Sequence, residues 1–224
     1  MEARSDATDG ADPLDGDDRL ESFFGAAWPT VLGFHDLLVS QGELRGLIGP
    51  RELSRLWERH LLNSAAVVPF LPNQGRIIDL GSGAGLPGVV VAAMLPEAEV
   101  VLLEPMERRT DWLSEVAETL KLDNVVVRRG RAQDVHGDLH GDAVTVRAVA
   151  SLDKLYRMAM PLLVRGGTLV ALKGGKAEDE IEAAKHVGRK LGAGVASVVD
   201  APTIEGVEMT RVVRVVREAV PGVR

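Results

Sequence analysis

The thirteen residues Arg76-Ile77-Ile78-Asp79-Leu80-Gly81-Ser82-Gly83-Ala84-Gly85-Leu86-Pro87-Gly88 constrain the fold of this chain more than any other stretch. Ile77 and Ile78 supply a β-branched apolar run, and glycines follow at 81, 83, 85 and 88. The stretch reads as a short buried strand, a sharp turn and the start of a helix. Glycine lets the backbone turn tightly and lets a ligand approach it closely. Pro87 suits a first helical turn, where its missing N–H is no loss. The free N–H groups of such a turn face something polar or anionic, so a ligand is expected here.

Two patterns overlap in these residues. Gly83-x-Gly85-x-x-Gly88 fits the dinucleotide fingerprint. Asp79-x-Gly81-x-Gly83-x-Gly85 fits the acid-plus-glycine pattern of S-adenosylmethionine (SAM) enzymes. Either alone is a weak signal, and the rest of the chain has to decide.

From Arg76 onward, strands and helices alternate. Strands are expected at 76–80, 99–104, 124–128, 142–147, 168–173, 193–200 and 209–217, with helices at 86–95, 107–121, 152–164 and 177–191. The last two strands have a short connection containing Gly206, which predicts an antiparallel hairpin. Repeated β–α units with apolar strands mean an α/β fold with a mostly parallel sheet covered on both faces. Ahead of the first strand, Leu20, Phe23, Phe24 and Ala27 follow helical spacing, a second helix runs from Trp28 to Ser40, and a long one from Arg51 to about Phe70. Residues 1–18, rich in Asp, Gly and Ala, are expected to be a disordered acidic tail. The expected organisation is this tail, a helical extension over 19–72 and a ligand-binding domain over 73–224.

The net charge of −7 is concentrated in the first 21 residues, where eight acids face two bases, so 25 acids and 24 bases remain in the body. Near-neutrality of the body leaves room for a local basic surface. The chain has no cysteine, which excludes disulfides and thiolate nucleophiles and is compatible with the cytosol. No run of eighteen apolar residues and no apolar leader occur, so neither a membrane span nor a secretory signal is expected.

In an open parallel sheet, ligands bind beyond the carboxyl ends of the strands. The second strand ends in Glu104, whose carboxylate can accept from both hydroxyls of a ribose. The third leads into Gly130-Arg131-Ala132-Gln133, where the backbone and the Gln133 amide can read an adenine edge. The fourth ends in Arg147, a cation leaving an apolar strand and needing a partner. The fifth ends in Lys173-Gly174-Gly175-Lys176. Asp79 and Glu104 suit a nucleoside joined to a zwitterionic amino acid, whereas Asp79 repels a pyrophosphate. SAM is therefore preferred to NAD. The five histidines (35, 60, 136, 140 and 186) are scattered, so no metal is expected. Without cysteine, cytosine-C5 chemistry is excluded. No Asn-Pro-Pro-Tyr-like tetrad follows the fourth strand, which disfavours methylation of an exocyclic amine.

Further residues carry a specific resemblance. Arg59-His60-x-x-x-Ser64, Gly85-Leu86-Pro87-Gly88, Leu103-Glu104, Arg108-Arg109, Arg147-Ala148-x-Ala150-Ser151-Leu152 and Leu172-Lys173-Gly174 resemble the RsmG (GidB, glucose-inhibited division protein B) family of bacterial 16S ribosomal RNA guanine-N7 methyltransferases, over roughly residues 50 to 217. The resemblance implies a Rossmann-like SAM-dependent methyltransferase fold, with a mostly parallel seven-stranded sheet and an antiparallel last strand. It implies SAM contacts at Gly81, Leu86, Ala132, Gln133 and Arg147, to which the residue reading adds Gly83 and Glu104. An RNA-facing edge is implied at Arg59, His60, Arg147 and Lys173, and no acid, base or nucleophile is assigned. The implied reaction is methylation of guanine-527 in the 530 loop, and the implied partner is 16S rRNA or the small ribosomal subunit. A cytoplasmic monomer that does not bind membranes is expected. Alternative readings are a SAM enzyme acting on a small molecule and a non-catalytic SAM-sensing RNA-binding module. The chain departs from the family pattern at Trp28-Pro29, at Asn63 and at Gln133, the last two standing where acids are common.

Overall fold

The computed structural model describes residues 12–147 and 150–219. Its centre is a seven-stranded sheet in the order β3-β2-β1-β4-β5-β7-β6. The strands are β1 (Gly75–Leu80), β2 (Ala98–Glu104), β3 (Val125–Arg129), β4 (Gly141–Arg147), β5 (Leu163–Lys173), β6 (Ser197–Ala201) and β7 (Thr210–Val216). β1 to β5 pair in parallel, and β7 runs antiparallel to both β5 and β6. The chain leaves β1 toward β2 on one side and β4 lies on the other. The glycine turn after β1 therefore stands at the switch point of the sheet, where the crossovers diverge and leave a crevice.

Side-chain alternation along the strands makes two cores. Ile77, Val100, Leu102, Ala143, Val170 and Val212 face α5 (Gly88–Met94), α6 (Glu107–Thr119) and the N-terminal helices α1 (Asp18–Phe24) and α2 (Trp28–Gln41). Ile78, Val101, Leu103, Val144, Leu169 and Val213 face α7 (Leu152–Ala159) and α8 (Ala177–Lys190). The same alternation sends Arg147, two residues after an inner Thr145, toward the N-terminal helices and sends Lys173 toward α8.

The N-terminal part departs from expectation in two places. First, the acidic stretch is folded from Asp12 onward, although disorder was expected through residue 18; residues 1–11 lie outside the described residues. Asp12 is buried, its Oδ2 accepting from the Trp57 N–H at 2.8 Å, and Asp15 Oδ1 accepts from the Trp57 indole at 2.9 Å. Second, the helix expected over 51–70 is broken. It consists of α3 (Pro50–Leu53), a wide π-helical turn over Trp57–Leu62, α4 (Asn63–Ala65) and a 3-10 turn over Val68–Phe70. The reason lies in backbone groups taken by other partners: Trp57 N–H goes to Asp12, and the Arg59 carbonyl receives Arg147 Nη1 at 3.1 Å. Trp57 packs its ring on His35, with centroids 4.5 Å apart, and on Trp28 at 5.5 Å.

Further along, α7 stops at Ala159, short of the expected 164, because Pro161 cannot continue it; Met160–Leu162 form a 3-10 turn and β5 begins at Leu163.

Candidate active site

The strand–turn–helix unit is held together by two carboxylates. Asp79, 1% exposed at the end of β1, accepts from the Gly88 N–H at 3.1 Å through Oδ2. It thus occupies the N-terminus of α5, the place a pyrophosphate would need. Gly88 must be glycine: a Cβ there would lie 2.3 Å from Leu102 Cδ2 and 2.4 Å from Asp79 Oδ2. Burial pushes the Asp79 carboxyl up to about 7 against the pull of Ser82, the Gly88 N–H and Arg147. Its Oδ1 is buried and has no hydrogen-bond partner among the described residues. Neither Asp79 nor Glu104 is on the wall of the adjoining cavity; the Asp79 carboxylate faces the Gly88 N–H and braces the turn.

Glu104, 2% exposed at the end of β2, accepts from the Gly83 N–H at 2.9 Å through Oε2 and from the Met106 N–H at 3.0 Å through Oε1. Gly83 has φ +57, and a Cβ there would meet only the Gly81 carbonyl oxygen, at an ordinary 3.8 Å. Each carboxylate oxygen has two lone pairs, so Glu104 keeps one acceptor direction per oxygen. The Trp112 indole donates to Ala84 O at 2.9 Å and pins the far side of the turn. A cavity of about 310 Å³ lies on this turn, walled by Gly81, Ser82, Gly83 and Leu86, by Glu52 and His60 of the N-terminal extension, and by Arg147. Ala132 and Gln133 stand on a 3-10 turn after β3, tied to β2 by Gly130 N–H to Glu104 O at 3.1 Å. They share the edge with Glu104 but are not part of the cavity wall; Ala132 is buried and Gln133 exposed.

Beyond this cavity opens a groove of about 960 Å³, lined by Arg55, Arg59, Asn63, Arg147, Lys173 and Arg211 among others. Arg147 lines both spaces, standing where they meet. Its Nη1 donates to Arg59 O, and its Nη2 lies 2.9 Å from His60 Nδ1. A guanidinium only donates, so Nδ1 must be the acceptor and the His60 proton sits on Nε2, which is 2.9 Å from Glu52 Oε2. His60 is therefore neutral. Burial, then the Arg147 charge, lower its pKa below the ordinary histidine value, and the His60 hydrogen bond lowers that of Glu52. On the other face of the sheet, Lys173 Nζ donates to Ala150 O at 2.6 Å and to Glu180 Oε2 at 2.8 Å.

The structure thus brings Gly81, Gly83, Leu86, Glu104 and Arg147 together at one strand edge, with Arg59, His60 and Lys173 along the adjoining groove. The sequence reading missed Glu52, because the broken helix removes any spacing that would link it to His60. Met106 was missed too. It is 41% exposed two residues after Glu104, to whose Oε1 its N–H donates, and an apolar residue close behind a strand-end acid was its available signal. Asn63 Nδ2 donates to Thr210 Oγ1 at 2.9 Å, joining the N-terminal extension to β7. Among the described residues, no group of three or more His, Asp or Glu side chains is placed to hold a metal ion, and no helix is long and apolar enough to cross a membrane.

A parallel sheet with β7 inserted antiparallel beside β5, a glycine turn at the switch point and an acid ending β2 define the class of SAM-dependent methyltransferases. The fold is similar to that of Methanococcus jannaschii TYW2 solved in complex with AdoMet (TM-score 0.54, 19% identity, 70% of this chain and 74% of that one). It is also similar to the tRNA (m1A58) methyltransferase TrmI of Aquifex aeolicus (TM-score 0.55, 14% identity, 70% and 69%). The family described as rRNA small subunit methyltransferase G matches residues 29–204. The ribosomal RNA small subunit methyltransferase G of Thermobifida fusca is 52% identical over 182 residues, 81% of this chain and 77% of the relative. That of Beutenbergia cavernae is 50% identical over 191 residues, 85% and 90%. The chain belongs to this family, and its cofactor is SAM.

Proposed function

We propose that this chain transfers the methyl group of SAM to N7 of a guanine in 16S rRNA, guanine-527 of the 530 loop by family resemblance. The names of the two relatives support ribosomal RNA as the substrate class. The observation that carries the choice of N7 is that the titratable groups nearest the junction of cavity and groove are already committed. Both His60 nitrogens are engaged, Lys173 is bound to Glu180 and Ala150, and Asp79 is sealed beneath α5. An acceptor that must lose a proton would need one of them free. SAM would supply a methyl on a cationic sulfur, and guanine N7 would accept it through its in-plane lone pair as the S–CH3 bond breaks and S-adenosylhomocysteine leaves, with no proton released.

The chain's own contribution is then orientation, which in well-aligned intramolecular reactions is worth up to roughly 7–11 kcal/mol. Glu104 would hold the ribose hydroxyls with its remaining lone pairs. Gly81, Gly83 and Leu86 would bed the methionine part, and Ala132 and Gln133 would take the adenine edge. Among the described residues, Arg147 commits two of its five N–H donors. The rest would take a guanine O6 or a phosphate, groups a guanidinium reads in bidentate fashion. Lys173, Arg59 and the His60 turn flank the same path. The target guanine must be in a loop or turned out of its stack to reach the junction.

Mapping of guanine-N7 methylation on 16S rRNA from a strain lacking this chain tests the reading. A lost methyl is expected, restored by the wild-type chain and reduced at least ~100-fold in rate with Arg147→Ala, a size typical of a misplaced reactant. An unchanged methylation pattern in the deletion strain would sink it.

A further inference from the structure

The cation at the junction is not held by the sheet that carries it. Arg147 leaves the end of β4, and its two committed N–H groups go to Arg59 O and His60 Nδ1, both on the π-helical turn. An imidazole can accept at Nδ1 only while its proton stays on Nε2. Glu52 Oε2, at 2.9 Å from Nε2, is the acceptor that keeps it there. Glu52 belongs to α3 and also touches Arg59, Oε1 to Nη1 at 3.4 Å. We propose that Glu52 is a positioning residue, which fixes the guanidinium of Arg147 at the junction of cofactor cavity and groove by holding the tautomer and ring orientation of His60. The proposal rests on the reading that Arg147 serves methyl transfer.

The charged groups facing this relay come from four elements. Glu52 lies on α3, with Arg55 acting on its carboxylate; Arg59 lies beside His60; Arg147 comes from β4 and is acted on by Asp79 of β1. A proton on Nδ1 would remove the acceptor and place two cations face to face, so Arg147 would leave its position. Methyl transfer therefore loses rate in acid as His60 protonates. Glu52 favours that protonation, while burial and Arg147 oppose it. Removing the Glu52 charge while keeping an acceptor moves the acid limb to lower pH.

The experiment compares the full chain with Glu52→Ala, Glu52→Gln and Arg147→Ala, measuring kcat and KM on 16S rRNA substrate, SAM affinity by calorimetry and the pH–rate profile. Glu52→Ala is expected to lower kcat about tenfold with SAM affinity within about twofold of wild type. In Glu52→Gln the amide oxygen still accepts from Nε2–H, so most of kcat returns and the acid limb shifts to lower pH. Unchanged kcat in Glu52→Ala together with an impaired Arg147→Ala would overturn the positioning role. A SAM affinity reduced as much as kcat would make Glu52 a cofactor contact and overturn it equally. Full activity of Arg147→Ala would instead refute the reading of Arg147 beneath it. If Glu52→Ala does not fold, the acid limb of Glu52→Gln decides: an unmoved limb overturns the proposal.

Discussion

Asp79 has one carboxylate oxygen on the Gly88 N–H and the other buried without a partner among the described residues. Burial raises its pKa from 3.8 to about 7. Between those values the folded chain binds a proton that the unfolded chain has lost, so Asp79 favours folding most below pH ~3.8 and loses that contribution as pH rises through about 7. Asparagine keeps an acceptor for Gly88 N–H, adds a donor at the orphan oxygen and does not ionise. Urea unfolding at pH 5 and pH 8 should therefore show Asp79→Asn gaining on wild type as pH rises. An equal wild-type-minus-variant difference at both pH values would mean that Asp79 is already charged. The residue types at the strand ends were legible from sequence: Glu104 and Arg147 stand at the edge as expected. The use made of Asp79 was not, because the direction of its carboxylate depends on how closely α5 packs over Leu102.

At the scale of elements, the stretch from Trp57 to Leu62 shows tertiary contacts overriding helical periodicity. Leu53, Leu56, Trp57, His60 and Leu61 carry helical spacing, yet the chain widens into a π-turn because Asp12 and Arg147 take backbone groups that a regular helix uses itself. Trp57 is the hinge of this arrangement, 2% exposed against His35 and Trp28. Trp57→Ala should cost about 3–5 kcal/mol by lost burial and the cavity left behind, read as a drop in the urea midpoint. Because the turn carries Arg59 and His60, methylation rate should fall under conditions where the variant is still folded. A variant with normal stability would mean that the aromatic cluster does not hold the extension. Strands, by contrast, were placed within a few residues, since an apolar run ended by a glycine or a charge marks a buried strand without reference to partners.

At the scale of the whole molecule, the groove proposed to receive substrate carries charges that are mostly already paired. Arg55 meets Glu58 at 3.0 Å, Arg59 meets Glu52 at 3.4 Å, and Arg211 meets Glu178 at 2.8 Å. Exposed pairs of this kind contribute under about 1 kcal/mol each, so a phosphate can displace the carboxylate. Five cations line the groove (Arg55, Arg59, Arg147, Lys173 and Arg211). At about 0.7 per single-strand phosphate contact, the slope of log affinity against log salt should be no steeper than about 3.5. Arg59→Ala combined with Arg211→Ala should flatten it by about 1.4. A markedly steeper slope, insensitive to that pair, would place the RNA on another surface.

The sequence by itself determined the α/β class, the glycine turn at the end of β1, the preference for SAM and the family, because those depend on local periodicity, on residue types at strand ends and on short contiguous motifs. It also marked Arg59, His60, Arg147 and Lys173, though only as separate positions. Tertiary structure decided how they are used. Strand alternation sends Arg147 to the N-terminal helices and Lys173 to α8, and the broken helix delivers Glu52 to His60 and His60 to Arg147. Those contacts join residues as many as 88 positions apart, and such pairing is set by the packing of whole elements, which no local pattern encodes.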